Sequence, residues 1–93
     1  LEGEGAWRMP LSPRYAKLLK SRTADLANVG GRGAGACTAA EFLHRFIRKG
    51  TKWIHVDIAG VAVSKSPGRL APAGATGWGV ASVNRFIREF YEK

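Results

Sequence analysis

Trp53-Ile54-His55-Val56-Asp57-Ile58 alternates two sets of side chains through a β-rich composition, which is the pattern of a strand. Residues 61–63 extend or follow it, and no other segment carries so clear a strand signal. The segments around it read as helices. A single strand among helices indicates a piece of an α/β sheet. On its own, though, it leaves backbone N–H and C=O groups unpaired, which burial does not tolerate. The expected fold is therefore α/β, a fragment of a mixed or parallel sheet flanked by helices. Its remaining strands would come from upstream sequence or another subunit.

Working upstream, residues 36–49 give the strongest helix signal. Ala36, Ala39, Ala40, Leu43, Phe46 and Ile47 recur at helical spacing, with Glu41, Arg45 and Arg48 opposite. Gly50 ends it, and Arg48 and Lys49 suit the negative end of the helix dipole. Before it, Asn28-Val29-Gly30-Gly31-Arg32-Gly33-Ala34-Gly35 must be a shaped loop. It matches neither the Walker spacing nor a G-x-G-x-x-G after a strand, so close backbone packing explains its glycines better than a phosphate cradle. Ser12-Pro13 opens a short helix to about residue 20, with serine as N-cap and proline at the first helical position. Residues 1–11 read as an extended lead-in. Downstream, residues 66–79 form a long Pro- and Gly-containing loop, a length that usually implies function or a bound partner. A last helix over 79–91 carries Val80, Val83, Ile87, Phe90 and Tyr91 on one stripe.

The 93 residues make one domain at most, and a chain of this size is marginally stable without help. With 45% hydrophobic residues and three tryptophans it is no disordered tail. The lone Cys37 allows no internal disulfide, which fits a reducing, cytoplasmic setting. No apolar run approaches the ~20 residues a bilayer span needs, and residues 1–8 hold two glutamates rather than a basic signal-peptide start. A start without Met suggests a fragment or a processed chain. The net charge of +8 could attract phosphate backbones, but the basic residues are scattered. The tightest cluster, Arg45, Arg48, Lys49 and Lys52, is short, so nucleic acid is not the expected partner.

Local chemistry is sparse. Asp25 and Asp57 are the only aspartates, too few for a carboxylate-rich two-metal site. His55 and Asp57 lie two apart on one strand face, with His44 as a conceivable third zinc ligand. The competing reading makes Asp57 a cap for the loop at the strand's end. Cys37, His55 and Asp57 have the residue types of a nucleophilic triad, but Cys37 begins an apolar helix and no spacing brings thiol and imidazole together.

Several blocks, taken together, resemble one family. Trp7-Arg8-Met9-Pro10-Leu11, Tyr15, Leu19-Lys20-Ser21, Ala24-Asp25-Leu26 and Asn28 are followed by Ala34-Gly35-Ala36-Cys37-Thr38-Ala39-Ala40 with Phe42-Leu43. His55-x-Asp57-Ile58-Ala59-Gly60 and Gly74-Ala75-Thr76-Gly77-x-Gly79-Val80 complete the set. Their order and spacing are similar to the M17 leucyl aminopeptidases, and residues 1–93 would be the C-terminal portion of that catalytic domain. The resemblance implies a cytoplasmic, homo-hexameric hydrolase that removes N-terminal residues, leucine favoured, from peptide substrates. It further implies two divalent ions, zinc or manganese, and a bicarbonate acting as base. The family's ligands are a lysine, several aspartates and a glutamate, with an Asn-Thr-Asp-Ala-Glu-Gly-Arg segment absent here. They would all lie upstream, leaving this chain with no catalytic or metal-binding residue and inactive alone.

What the resemblance assigns to this portion is the wall of the pocket for the substrate's N-terminal side chain. Val29, Ala59 and Ala62 match lining positions, and Ile58 and Gly60 shape the strand end beside them. The alternative is that all five are ordinary core residues. Ala62 stands where some members carry methionine, which predicts a roomier pocket. Lys65 and Arg69 fall in a variable loop and inherit no role. A rival of another class is a non-catalytic binding or structural protein of the same shape, its basic surface holding nucleic acid or a larger assembly.

Overall fold

The computed structural model describes residues 2–92. They divide into two compact units, one of residues 7–55 and one of residues 2–6 with 56–92.

In the 7–55 unit, Ser12 caps the helix α1 (Pro13–Ala16). Its Oγ accepts from the Arg14 N–H at 3.3 Å, and Pro13 stands in the first turn, where its missing N–H costs nothing. A 3-10 turn, Lys17–Leu19, continues it. The chain then folds back, the Ala27 N–H donating to the Leu19 carbonyl at 2.8 Å. Helix α2 (Gly35–His44) starts from Ala34, a non-glycine residue at φ 49°. Among the described residues the buried apolar side chains are Leu19, 1% exposed, and Cys37, and Thr38 and Glu41 are buried as well.

Gly30 is where the glycine-rich loop needs its glycine. A Cβ there would stand 3.2 Å from Leu18 Cβ and from Thr38 Cγ2, tighter than ordinary packing. Close approach of backbone to side chains is thus the role of at least this glycine, in keeping with the sequence reading.

Two expectations for α2 are corrected. The helix ends at His44 instead of Lys49, and the chain tightens into i→i−3 turns, Phe46 N–H to the Leu43 carbonyl at 3.1 Å and Ile47 N–H to that of His44 at 3.0 Å. The buried face is also different, since Cys37, Thr38 and Glu41 turn inward while Ala39, Leu43 and Phe46 stay exposed. Glu41 had been placed on the exterior. A short helix takes most of its stability from the surface it packs on, and α1 offers only a narrow one, so the apolar stripe is left uncovered.

The strand expectation needs correcting as well. Among the described residues, 53–58 form no β-ladder. Among the described residues the pairing is antiparallel: β1 (Val63–Ser64), which begins in the 61–63 segment expected to extend or follow the strand, runs against β2 (Gly74–Ala75) in the expected loop, with Val63 opposite Ala75 and Ser64 opposite Gly74. A strand exists by virtue of a neighbour's hydrogen bonds, and alternation alone supplies none. The described fold is three short helical segments and one two-stranded ladder, an α/β fragment without a parallel sheet.

Helix α3 (Val80–Phe90) lies within one residue of its expected span at each end. Gly79, at φ 94°, precedes it in a conformation a side chain would strain. Its N-terminus is capped from far along the chain, because the Glu4 carboxylate accepts from the Gly79 N–H at 3.0 Å, the Ser82 N–H at 3.1 Å and the Ser82 hydroxyl. An anion there meets unpaired N–H groups and the positive end of the dipole. Arg85 adds ion pairs to Glu2 at 2.6 Å and Glu89 at 2.7 Å, which push its guanidinium pKa up. Residues 2–6 are therefore joined to α3, a contact that reading them as an extended lead-in did not anticipate. Among the described residues no helix is long and apolar enough to cross a membrane.

Candidate functional site

The turn after Asp57 is built by three sets of bonds. Asp57 Oδ1 accepts from the Ala59 N–H at 3.0 Å, a side-chain-to-backbone turn typical of aspartate. The Ile58 carbonyl then accepts from Val61 N–H at 3.0 Å and Ala62 N–H at 2.9 Å, wrapping the chain into one tight turn. Asp57 is thus a loop cap, as the bland reading of that residue had it.

Thr76 supplies the third set. Its Oγ1 lies 2.5 Å from the Val61 carbonyl and 3.3 Å from that of Ala62, and its N–H donates to the Ala62 carbonyl at 3.0 Å. The same Oγ1 accepts from the Trp78 N–H at 3.2 Å. One residue therefore ties the turn to the segment that leads into α3. The sequence pattern alone assigns Thr76 no role; a lone hydroxyl in the small-residue run Gly74-Ala75-Thr76-Gly77 is the signal that singles it out.

Of the five residues expected to line a pocket, four share this turn. Ile58 is 44% exposed, Ala59 and Gly60 are exposed, and Ala62 is half-buried. Val29 belongs to the other unit, beside Gly30, and is 75% exposed. Two clefts of the 2–6/56–92 unit are lined by other residues. One of about 240 Å³ is bounded by Glu4, Ser64, Arg69, Leu70, Pro72 and Thr76, and one of about 410 Å³ by Glu2, Arg85, Arg88 and Glu89. Residues 58–61 of the turn stand on an open surface.

The other residues weighed from sequence take structural positions. His44 packs against Trp53 at 5.2 Å between ring centroids, and Trp53 stacks on His55 at 6.2 Å. Cys37 is enclosed beside Tyr15, where the thiol pushes the phenol pKa up, mainly through their hydrogen bond. Among the described residues no three His, Cys, Asp or Glu side chains are grouped to hold a metal ion. This donor set does not fit a two-metal centre.

Comparison with known proteins gives this arrangement its context. Residues 1–84 match the model of the cytosol aminopeptidase family, catalytic domain. The chain is similar to a probable cytosol aminopeptidase of Dinoroseobacter shibae, 62% identical over 98% of the chain, and to that of Cereibacter sphaeroides, 60% identical over 99%. A third, from Xanthobacter autotrophicus, is 49% identical over 97%. The chain spans 19%, 19% and 18% of these relatives' lengths.

Proposed function

Because the chain belongs to the cytosol aminopeptidase family, we propose that it is the C-terminal portion of a peptidase catalytic domain and forms one wall of the substrate pocket. The whole protein would release N-terminal residues from peptides, leucine favoured. The turn from Asp57 to Ala62 carries this reading, since it presents Ala59 and Ala62 on a backbone fixed by hydrogen bonds. Ile58 and Gly60 would shape it. An apolar wall favours leucine because burying such a side chain gains roughly 1.5–3 kcal/mol. The small Ala62 leaves room for it.

Two divalent ions, zinc or manganese, would polarise the scissile carbonyl and activate water, with a bicarbonate as base. Their ligands would come from the rest of the protein, and this chain's part is to bind and orient the N-terminal side chain. A cytoplasmic homo-hexamer completes the proposal. In the full-length protein, Ala62→Trp is expected to lower kcat/KM for a leucyl anilide by about tenfold or more by crowding the pocket. Unchanged turnover removes Ala62 from the lining.

The rival reading rests on Arg45, Arg48, Lys49 and Lys52, all exposed after α2. It requires affinity for DNA or RNA that falls steeply with salt, so absence of binding at low salt eliminates it.

A further inference from the structure

We infer that the Thr76 hydroxyl is the positioning group that fixes the turn carrying Ala59 and Ala62, and so sets which N-terminal side chain the pocket accepts. This deepens, and rests on, the assignment of that turn to the substrate pocket. Three of the turn's N–H groups are satisfied locally, Ala59 by Asp57 and both Val61 and Ala62 by the Ile58 carbonyl. Its later carbonyls are not. Those of Val61 and Ala62 find their partners in Thr76, 15 and 14 residues away in sequence.

Packing does not hold the turn, because Ala59, Gly60 and Val61 are exposed. Its position therefore depends on these long-range bonds. The hydroxyl uses both its capacities, donating toward the Val61 carbonyl while accepting from the Trp78 N–H, so it orients the turn against the backbone that enters α3. Thr76→Val keeps the shape and the backbone N–H bond to Ala62 but deletes the hydroxyl's bonds to the Val61 and Ala62 carbonyls and to the Trp78 N–H. A lining wall displaced by a fraction of an ångström loses discrimination between side chains before it loses chemistry.

The test is selectivity in the full-length protein, measured as kcat/KM for leucyl relative to alanyl anilide with Mn²⁺ or Zn²⁺ supplied. Thr76→Val is expected to lower that ratio about tenfold, through KM for the leucyl substrate, while Thr76→Ser keeps it within about twofold. A residue that only supports folding would scale both substrates equally, so an unchanged ratio in Thr76→Val overturns the inference. If that variant does not fold, Thr76→Ser decides, because a ratio shifted despite the retained hydroxyl overturns it too. Wild-type protein without activity on either substrate sinks the peptidase reading and this inference together. Active wild type with selectivity indifferent to the hydroxyl sinks the inference alone.

Discussion

At the scale of single residues, the side chains that organise the 2–6/56–92 unit are polar ones placed far apart in sequence. Glu4 is the clearest case. The Ser82 hydroxyl first, and the N–H groups at the start of α3 after it, hold its carboxyl below the ordinary value of 4.5. A lowered folded-state pKa means stability that is present above the unfolded value and lost as pH falls through the folded one. Acidification from about pH 6 to about pH 3 should therefore lower the melting temperature of wild type more than that of Glu4→Gln, which has no such proton to gain. Equal acid sensitivity in a thermal scan would remove Glu4 from that role. Asp57 was legible beforehand, since an aspartate at the end of an apolar run has a local turn to make. Glu4 and Thr76 were not, because Glu4 bonds to residues 75 and 78 positions away and Thr76 to carbonyls 15 and 14 positions away, and no spacing rule reaches them. Of the five residues proposed for the pocket, Ile58, Ala59, Gly60 and Ala62 share one turn, which their adjacency already implied.

At the scale of elements, periodicity located the helices but not the faces they bury. Helix α3 agrees with its pattern because 3.6-residue spacing and the stop after Phe90 are local properties. Helix α2 was legible at its start and misread in its burial, since the side that packs on α1 holds Thr38 and Glu41 while the apolar stripe of Leu43 and Phe46 faces water. The strand at 53–58 was misread for a related reason: alternation reports what a segment could pair with, and pairing needs a second segment. A stripe of this kind is a surface to be covered. In the full-length protein Phe46→Ala should therefore cost about 3–5 kcal/mol of unfolding free energy, as for a core phenylalanine. In denaturant titrations, a loss within about 0.5 kcal/mol would show the stripe to be an ordinary surface.

At the scale of the whole molecule, the amount of exposed surface is informative. The chain exposes 8337 Å² at a mass of 10.0 kDa. A folded protein of that mass exposes about 5,200 Å², and even two separate folded bodies of half the mass would expose about 6,300 Å² together. Trp7, Ile54, Leu70 and Val80 are among the large apolar side chains left open. This excess is what a part of a larger catalytic domain would show, and it matches the span of about a fifth of the related peptidases. The sheet could not be read correctly from the sequence because the hydrogen bonds that would define it are not made within these residues. The proposed function divides the labour, with this chain contributing an apolar wall and other parts of the protein the ions. Hydrolysis of a leucyl anilide in Mn²⁺, measured on the full-length protein and on the isolated 93-residue chain side by side, tests it most directly. Turnover by the full-length protein and none by the isolated chain is the predicted result; comparable turnover by the isolated chain would contradict it.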